Sequence, residues 1–251
     1  MTPEGLLVVL DEAADAVESA LRGATEWGPS GLRPTQYRSD LTADAAALAV
    51  LDKAGLGVVS EESGVRRPEV PVWVALDPLD GSTNAHRRLP WYATSLAAVD
   101  HDGPLAAVVV NLATGTRYRA VREGGATRDG ALIHTSGTSV LGNAIVGLSG
   151  LPPRHLGWRQ FRALGAAALD LCAVADGTLD AFVDCSDDAH GVWDYLAGVL
   201  MVTEAGGAVV DARGRSLTVR DHGARRTPVA GASALLCRAL ADARHDAWTA
   251  R

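Results

Sequence analysis

Val72-Trp73-Val74-Ala75-Leu76-Asp77-Pro78-Leu79-Asp80-Gly81-Ser82-Thr83-Asn84 is the stretch on which the reading of the fold turns. Its first five residues form an apolar, β-type run bounded upstream by Pro68 and Pro71, and they predict a buried strand over Val72–Leu76. The run ends on two carboxylates three residues apart across Pro-Leu, followed at once by Gly-Ser-Thr. Asp-Pro and Asp-Gly are each ordinary turn dipeptides when they stand alone. Their conjunction joins a pair of acids to backbone N–H groups that open a helix. That is the combination needed to hold divalent cations and a phosphate together.

Working outward, the flanking segments alternate in type. Leu6, Leu7, Leu10, Ala14, Val17 and Leu21 recur at helical spacing within Pro3–Arg22, a Gly/Pro-rich loop covers Gly28–Pro34, and Leu41–Ala54 reads as a second amphipathic helix. Gly55 and Gly57 close it, and Leu56–Ser60 follows as a short buried strand. Downstream, Ala93–Val99, Ala106–Asn111 and Arg117–Val121 are short β runs separated by Asp102-Gly103 and Thr114-Gly115, which predicts antiparallel hairpins. Beyond Gly142 the order is strand (Ala144–Leu148), helix (Gly165–Ala175), strand (Leu179–Val183), helix (Asp194–Ala205), strand (Ala208–Asp211) and a final helix (Ser233–Thr249). This is a layered α/β (α+β) chain. A soft boundary near residues 135–142, at Ser136-Gly137-Thr138-Ser139, divides it into subdomains 1–138 and 139–251.

Two further acidic clusters accompany the first. Ser60-Glu61-Glu62-Ser63 sits at the end of a predicted strand, and Trp193-Asp194 opens an apolar helix. Each has an ordinary alternative, a solvated loop for Glu61-Glu62 and a helix N-cap for Asp194. Acids at the ends of several strands nevertheless converge on the crevice where α/β proteins place their ligands.

Composition removes other classes. The chain has 251 residues and a net charge of −7, against the basic face expected of a nucleic-acid or anionic-membrane binder. Its apolar runs fall short of the roughly 18 residues of a membrane helix, and Met1–Leu10 lacks the basic start of a signal peptide. Three cysteines without a C-x-x-C predict no disulfide framework and a reducing, cytoplasmic setting. No P-loop, dinucleotide fingerprint, nucleophile elbow or H-E-x-x-H occurs.

The motifs as a set resemble the inositol monophosphatase family of magnesium-dependent, lithium-sensitive phosphatases. That family is related to fructose-1,6-bisphosphatases, histidinol-phosphate phosphatases and 3′-phosphonucleotide phosphatases. D-P-x-D-G-[ST]-[ST] is met at Asp77–Thr83, W-D-x-x-A-G at Trp193–Gly198 with Glu204-Ala205-Gly206-Gly207 following, and the upstream acidic element at Ser60–Ser63. The resemblance covers most of the chain. It implies a sugar-phosphatase-type αβαβα sandwich and commonly a homodimer.

It also implies site roles. Glu61, Asp77 and the carbonyl of Leu79 would hold one Mg²⁺. Asp77, Asp80 and Asp194 would hold a second, and Glu61 with waters a third. Ser82 would stand beside the attacking water, and the N–H groups of Gly81, Ser82 and Thr83 would receive phosphate oxygens. Asp187 would bind substrate hydroxyls, with Gly165 and Ala166 beside it. The early Lys-x-x-x-Asp-x-x-Thr-x-x-Asp element of the family is poorly met, so either Asp44, the preferred choice, or Asp40 would hold the water of the third ion. Ser60 replaces the usual Gly and Ser82 the usual Thr. The implied reaction is Mg²⁺-dependent hydrolysis of a small polyol or sugar phosphate, inositol 1-phosphate first and histidinol phosphate second. A metal-binding regulator of little turnover is the non-enzyme alternative.

Overall fold

The computed structural model describes residues 1–33 and 36–249; Pro34, the end of the expected loop, lies outside the described residues. Two helices form the first layer, α1 (Pro3–Gly23) and α2 (Arg38–Lys53). Thr2 caps α1 by accepting the Gly5 N–H at 3.2 Å, and Leu6, Leu10, Ala13, Ala14, Val17 and Leu21 make its buried stripe. α2 begins three residues earlier than its apolar pattern, because the Asp40 carboxylate turns back to accept the Tyr37 N–H at 2.8 Å and so fixes the first turn.

The second layer is an eight-stranded sheet of β1 (Gly57–Ser60), β2 (Gly64–Arg66), β3 (Trp73–Asp80), β4 (Ala93–Asp100), β5 (Gly103–Asn111), β6 (Arg117–Val121), β7 (Gly125–Arg128) and β8 (Ala131–Leu132). Its order is β2-β1-β3-β4-β5-β6-β7-β8, with β1 and β3 parallel and the other pairs antiparallel. A short helix α3 (Ser82–Arg87) links β3 to β4. Both faces of the central strands are buried, which explains their unbroken apolar runs. Trp73 and Ala75 of β3, with Ala107 and Val109 of β5, pack to one side; Val74, Leu76, Val108 and Val110 pack against α1 and α2 on the other.

Helices α4 (Ala167–Ala175) and α5 (Val192–Glu204) fill the middle layer. They cross closely at Gly198, where a Cβ would stand 2.4 Å from Leu171 Cβ. Beyond them lies a five-stranded sheet of β9 (Ile145–Ser149), β10 (Gln160–Arg162), β11 (Ala181–Asp184), β12 (Ala208–Asp211) and β13 (Pro228–Gly231), in the order β10-β9-β11-β13-β12. The last helix, α6 (Ala234–Thr249), covers its outer face through Leu236 and Leu240. The stack is α, β, α, β, α. Strand β13 is absent from the sequence reading. It is four residues long and bounded by Pro and Gly, yet it is buried throughout and pairs on both sides.

Candidate active site

The quoted stretch reaches its chemistry through a register shift. In a regular strand, side chains three apart face opposite ways. Between Asp77, which pairs with Ser95, and Asp80, which pairs with Ala93, β3 holds one residue more than β4. Pro78 occupies this bulge, a position that tolerates its missing N–H. Asp77 thereby keeps the side of Trp73 and Ala75, towards α5, and Asp80 is turned to the same side, into a cavity with Asp194. Gly81 then reverses the chain with φ +79°, where a Cβ would also stand 3.0 Å from the Trp91 carbonyl oxygen.

Three carboxylates from three elements converge. Oxygens of Glu61 (after β1), Asp77 (β3) and Asp194 (first turn of α5) all lie within 4.8 Å of one another. Asp77 Oδ1 accepts the Leu79 N–H at 3.0 Å. Asp194 Oδ2 accepts the Gly191 N–H at 2.7 Å, so the helix-cap role and membership of the cluster coexist. Asp80 Oδ2 accepts the N–H of Ala168 at 2.8 Å, which ties β3 to the start of α4. Burial, then mutual repulsion, holds Glu61, Asp77 and Asp80 well above the ordinary carboxylate range.

Two cavities of about 160 Å³ each flank the cluster. One is lined by Arg33, Gln36, Asp40, Glu61, Glu62, Ser82 and Thr83. The other is lined by Asp80, Gly165, Ala166 and Asp194 together with Leu148, Ser149, Ala167, Asp170 and His190. Of the two acids left open for the third ion, Asp40 lines the first cavity with Glu61, and burial pushes its carboxyl up to about 7. Asp44 instead accepts the Ser60 hydroxyl, with Ser63 Oγ at 3.5 Å, so Ser60 braces the Glu61 loop from behind. Asp187 is not brought to either cavity. Its carboxylate lies 3.3 Å from Arg244 Nη2 and 3.4 Å from Arg213 Nη2.

Several residues of the site carry no motif. His222, in the connection between β12 and β13, donates from Nε2 to the Glu61 carbonyl at 3.2 Å and packs on the Trp193 ring at 4.8 Å. The Arg225 guanidinium sits 5.0 Å above the same ring. Arg220 reaches the carbonyls of Val70 (2.7 Å) and Arg67 (3.0 Å). This one segment therefore binds the Glu61 loop to the start of α5. Arg33 and Gln36 both donate to the Glu62 carboxylate. His190 Nδ1 lies 3.3 Å from Asp194 Oδ2 and its Nε2 3.1 Å from Ser149 Oγ. Burial opposes its imidazolium, but Asp194, Asp184 and Asp80 outweigh it and lift it to about 9.

Residues 39–246 match the inositol monophosphatase family. A fructose-1,6-bisphosphatase/inositol-1-monophosphatase of Archaeoglobus fulgidus is 41% identical over 184 residues, 71% of each chain. A Nus factor SuhB of Salmonella typhimurium is 31% identical over 222 residues, 81% of this chain and 78% of that one. Among solved structures, the extragenic suppressor protein suhB of Bartonella henselae superposes with a TM-score of 0.81 at 27% identity, covering 96% of this chain and 99% of that one. An inositol monophosphatase from Anabaena (Nostoc) shares the fold at a TM-score of 0.82 and 24% identity over 99% of both chains.

Proposed function

The chain belongs to the inositol monophosphatase family and is a phosphoric monoester hydrolase, and on that premise we propose that it is a Mg²⁺-dependent phosphatase of small polyol or sugar phosphates, inositol 1-phosphate foremost. The observation that carries this reading is the convergence of Glu61, Asp77 and Asp194 within 4.8 Å. The donor chemistry suits a hard dication. Every candidate ligand is oxygen, the group is largely buried, and no arginine or lysine of the described residues pairs with Glu61, Asp77, Asp80 or Asp194. A positive ion there lowers the repulsion that otherwise raises these carboxyls.

In this reading Glu61, Asp77, the Leu79 carbonyl, Asp80 and Asp194 hold the ions. Bound Mg²⁺ supplies Lewis acidity, a more acidic water, and charge neutralisation for the attacking and leaving oxygens. The remaining work belongs to the chain. The N–H groups of Gly81, Ser82 and Thr83 stand at the start of α3, where no intrahelical acceptor exists for them, and receive the phosphate oxygens. Ser82 Oγ, on the wall of the cavity it shares with Glu61, orients the attacking water. Asp40, on the same wall, takes the water-holding role in preference to Asp44, whose carboxylate already accepts the Ser60 hydroxyl. The leaving group then lies on the other side, against Gly165 and Ala166. Fixed donors of this kind need no rearrangement as charge builds on the phosphate.

The test is phosphate release at saturating Mg²⁺ from inositol 1-phosphate, histidinol phosphate, fructose 1,6-bisphosphate and 3′-phosphoadenosine 5′-phosphate, each with an EDTA control. The expected result is a preference for inositol 1-phosphate that EDTA abolishes. A preference for one of the others reassigns the substrate, and EDTA-resistant release removes the metal assignment.

A further inference from the structure

Asp170 is an acid inside a helix whose every other residue is apolar, Ala167–Ala175. Its residue is 1% exposed. One carboxylate oxygen, Oδ1, accepts the Trp91 indole N–H at 2.9 Å, and no described protein group donates to the other. The side chain lines the cavity that also holds Asp80 and Asp194. The second oxygen is not sealed off: it keeps access to open space at the cavity that Asp170 lines, where a donor can meet it. Here the donor has a place to come from, because the cavity is bounded by the small residues Gly165, Ala166 and Ala167. The Ser149 hydroxyl, held by His190 Nε2 at 3.1 Å, and the Leu148 side chain complete its wall.

We propose that Asp170 is a specificity-determining residue of the leaving-group pocket, where its cavity-facing oxygen accepts a hydroxyl of a polyhydroxylated substrate. The claim rests on the phosphatase reading for the position of the phosphate, but not for the pocket itself. The lining matches such a ligand on both counts. Asp170 and Ser149 offer an acceptor and a hydroxyl to O–H edges, and Leu148 with the alanines offers methyl surface to C–H faces. Asp170 stands on the wall of this cavity, which Asp187, close to Arg213 and Arg244, does not line. The sign of selectivity follows from chemistry: esters with hydroxyls near the phosphate gain a charge-assisted hydrogen bond, and esters of bare hydrocarbon alcohols leave the carboxylate unmet.

The experiment compares wild type, Asp170→Asn and Trp91→Phe. Asp170→Asn keeps an acceptor for Trp91 and removes the charge; Trp91→Phe removes the internal bond and leaves the carboxylate in place. Two readouts are taken: KM and kcat for inositol 1-phosphate and phenyl phosphate, and calorimetric binding of free myo-inositol. Asp170→Asn should raise KM for inositol 1-phosphate about five- to ten-fold and weaken inositol binding to match. Phenyl phosphate has no hydroxyl to give the carboxylate, so its kinetics should stay within about two-fold; the loss on inositol 1-phosphate is the difference between a hydrogen bond to a charged and to a neutral acceptor. Trp91→Phe should leave the ratio of the two esters unchanged. Equal losses on both esters, unchanged inositol binding, or a Trp91→Phe variant that copies Asp170→Asn would reduce Asp170 to a structural residue and overturn the proposal. A wild type inert towards phenyl phosphate as well as inositol 1-phosphate would count against the phosphatase reading alone, since inositol binding still decides the pocket.

Discussion

Replacing Asp77 with Asn is expected to abolish function and yet stabilise the cation-free protein. Asp77 is fully buried, and its oxygens come within 4.8 Å of those of both Glu61 and Asp194. At that separation and an effective dielectric of about 20, each ionised pair repels by ~3.5 kcal/mol. Uptake of protons by the cluster relieves part of this, so a net gain of about 1–3 kcal/mol is expected of the neutral isostere at pH 8. The pH dependence has a definite sign. Burial and neighbouring carboxylates raise the folded-state pKa of Glu61 to about 8 and also lift Asp77 and Asp80. Groups raised in this way support the fold fully below their unfolded pKa, about pH 4, and lose that support as pH rises through the raised values. The advantage of Asp77→Asn should therefore be largest near pH 8 and vanish towards pH 4. For a chain of this length it corresponds to a rise in Tm of roughly 2–10 °C. The assay is thermal unfolding in EDTA at pH 4, 6 and 8, repeated in Mg²⁺, where wild type should recover the difference through ligand binding. A variant no more stable than wild type in EDTA at pH 8, or an advantage independent of pH, would refute the electrostatic account of the cluster.

Other consequences concern the scaffold. Gly198→Ala should force α4 and α5 apart against Leu171 and cost about 1–3 kcal/mol, read as a lowered Tm and urea midpoint with an unchanged m-value. His222→Ala removes the donor to the Glu61 carbonyl and the face against Trp193, so the Mg²⁺ concentration for half-maximal phosphate release should rise several-fold, with faster amide exchange around Glu61. Asp187→Ala removes a half-exposed carboxylate paired to Arg213 and Arg244, and stability should fall by no more than about 1 kcal/mol with KM unchanged.

What the sequence made legible has a local cause. The layered order followed from runs whose period or continuity is set within a few residues, and β6 and β12 have the bounds read from their apolar patterns. The acids were legible because Asp77, Asp80 and Asp194 each sit beside the turn or cap that aims them. The bulge that brings Asp77 and Asp80 to one side was hidden, since it depends on the register against Ser95 and Ala93. So was His222, which touches Glu61 across 161 positions of chain and lies in a turn-like Asp-His-Gly context that signals nothing else. Asp170 did leave a trace, a single acid in an apolar helix. Spacing leaves Asp40 and Asp44 alike, because both lie on one face of α2; their different settings, Asp40 on the cavity wall with Glu61 and Asp44 accepting the Ser60 hydroxyl, depend on contacts across the fold. The partners of Asp187 were hidden for a related reason: its offset from Asp194 suits a substrate contact, whereas Arg213 and Arg244, which pair with it, come from distant segments.

Whether these carboxylates make the chain a metal-dependent phosphatase is decided by the turnover of Asp194→Asn on inositol 1-phosphate across a Mg²⁺ titration, with circular dichroism to show that the fold is kept. Loss of one ligand at the site of charge development predicts a fall of at least about 10²-fold in kcat. A folded Asp194→Asn variant that turns over at close to the wild-type rate would contradict the account.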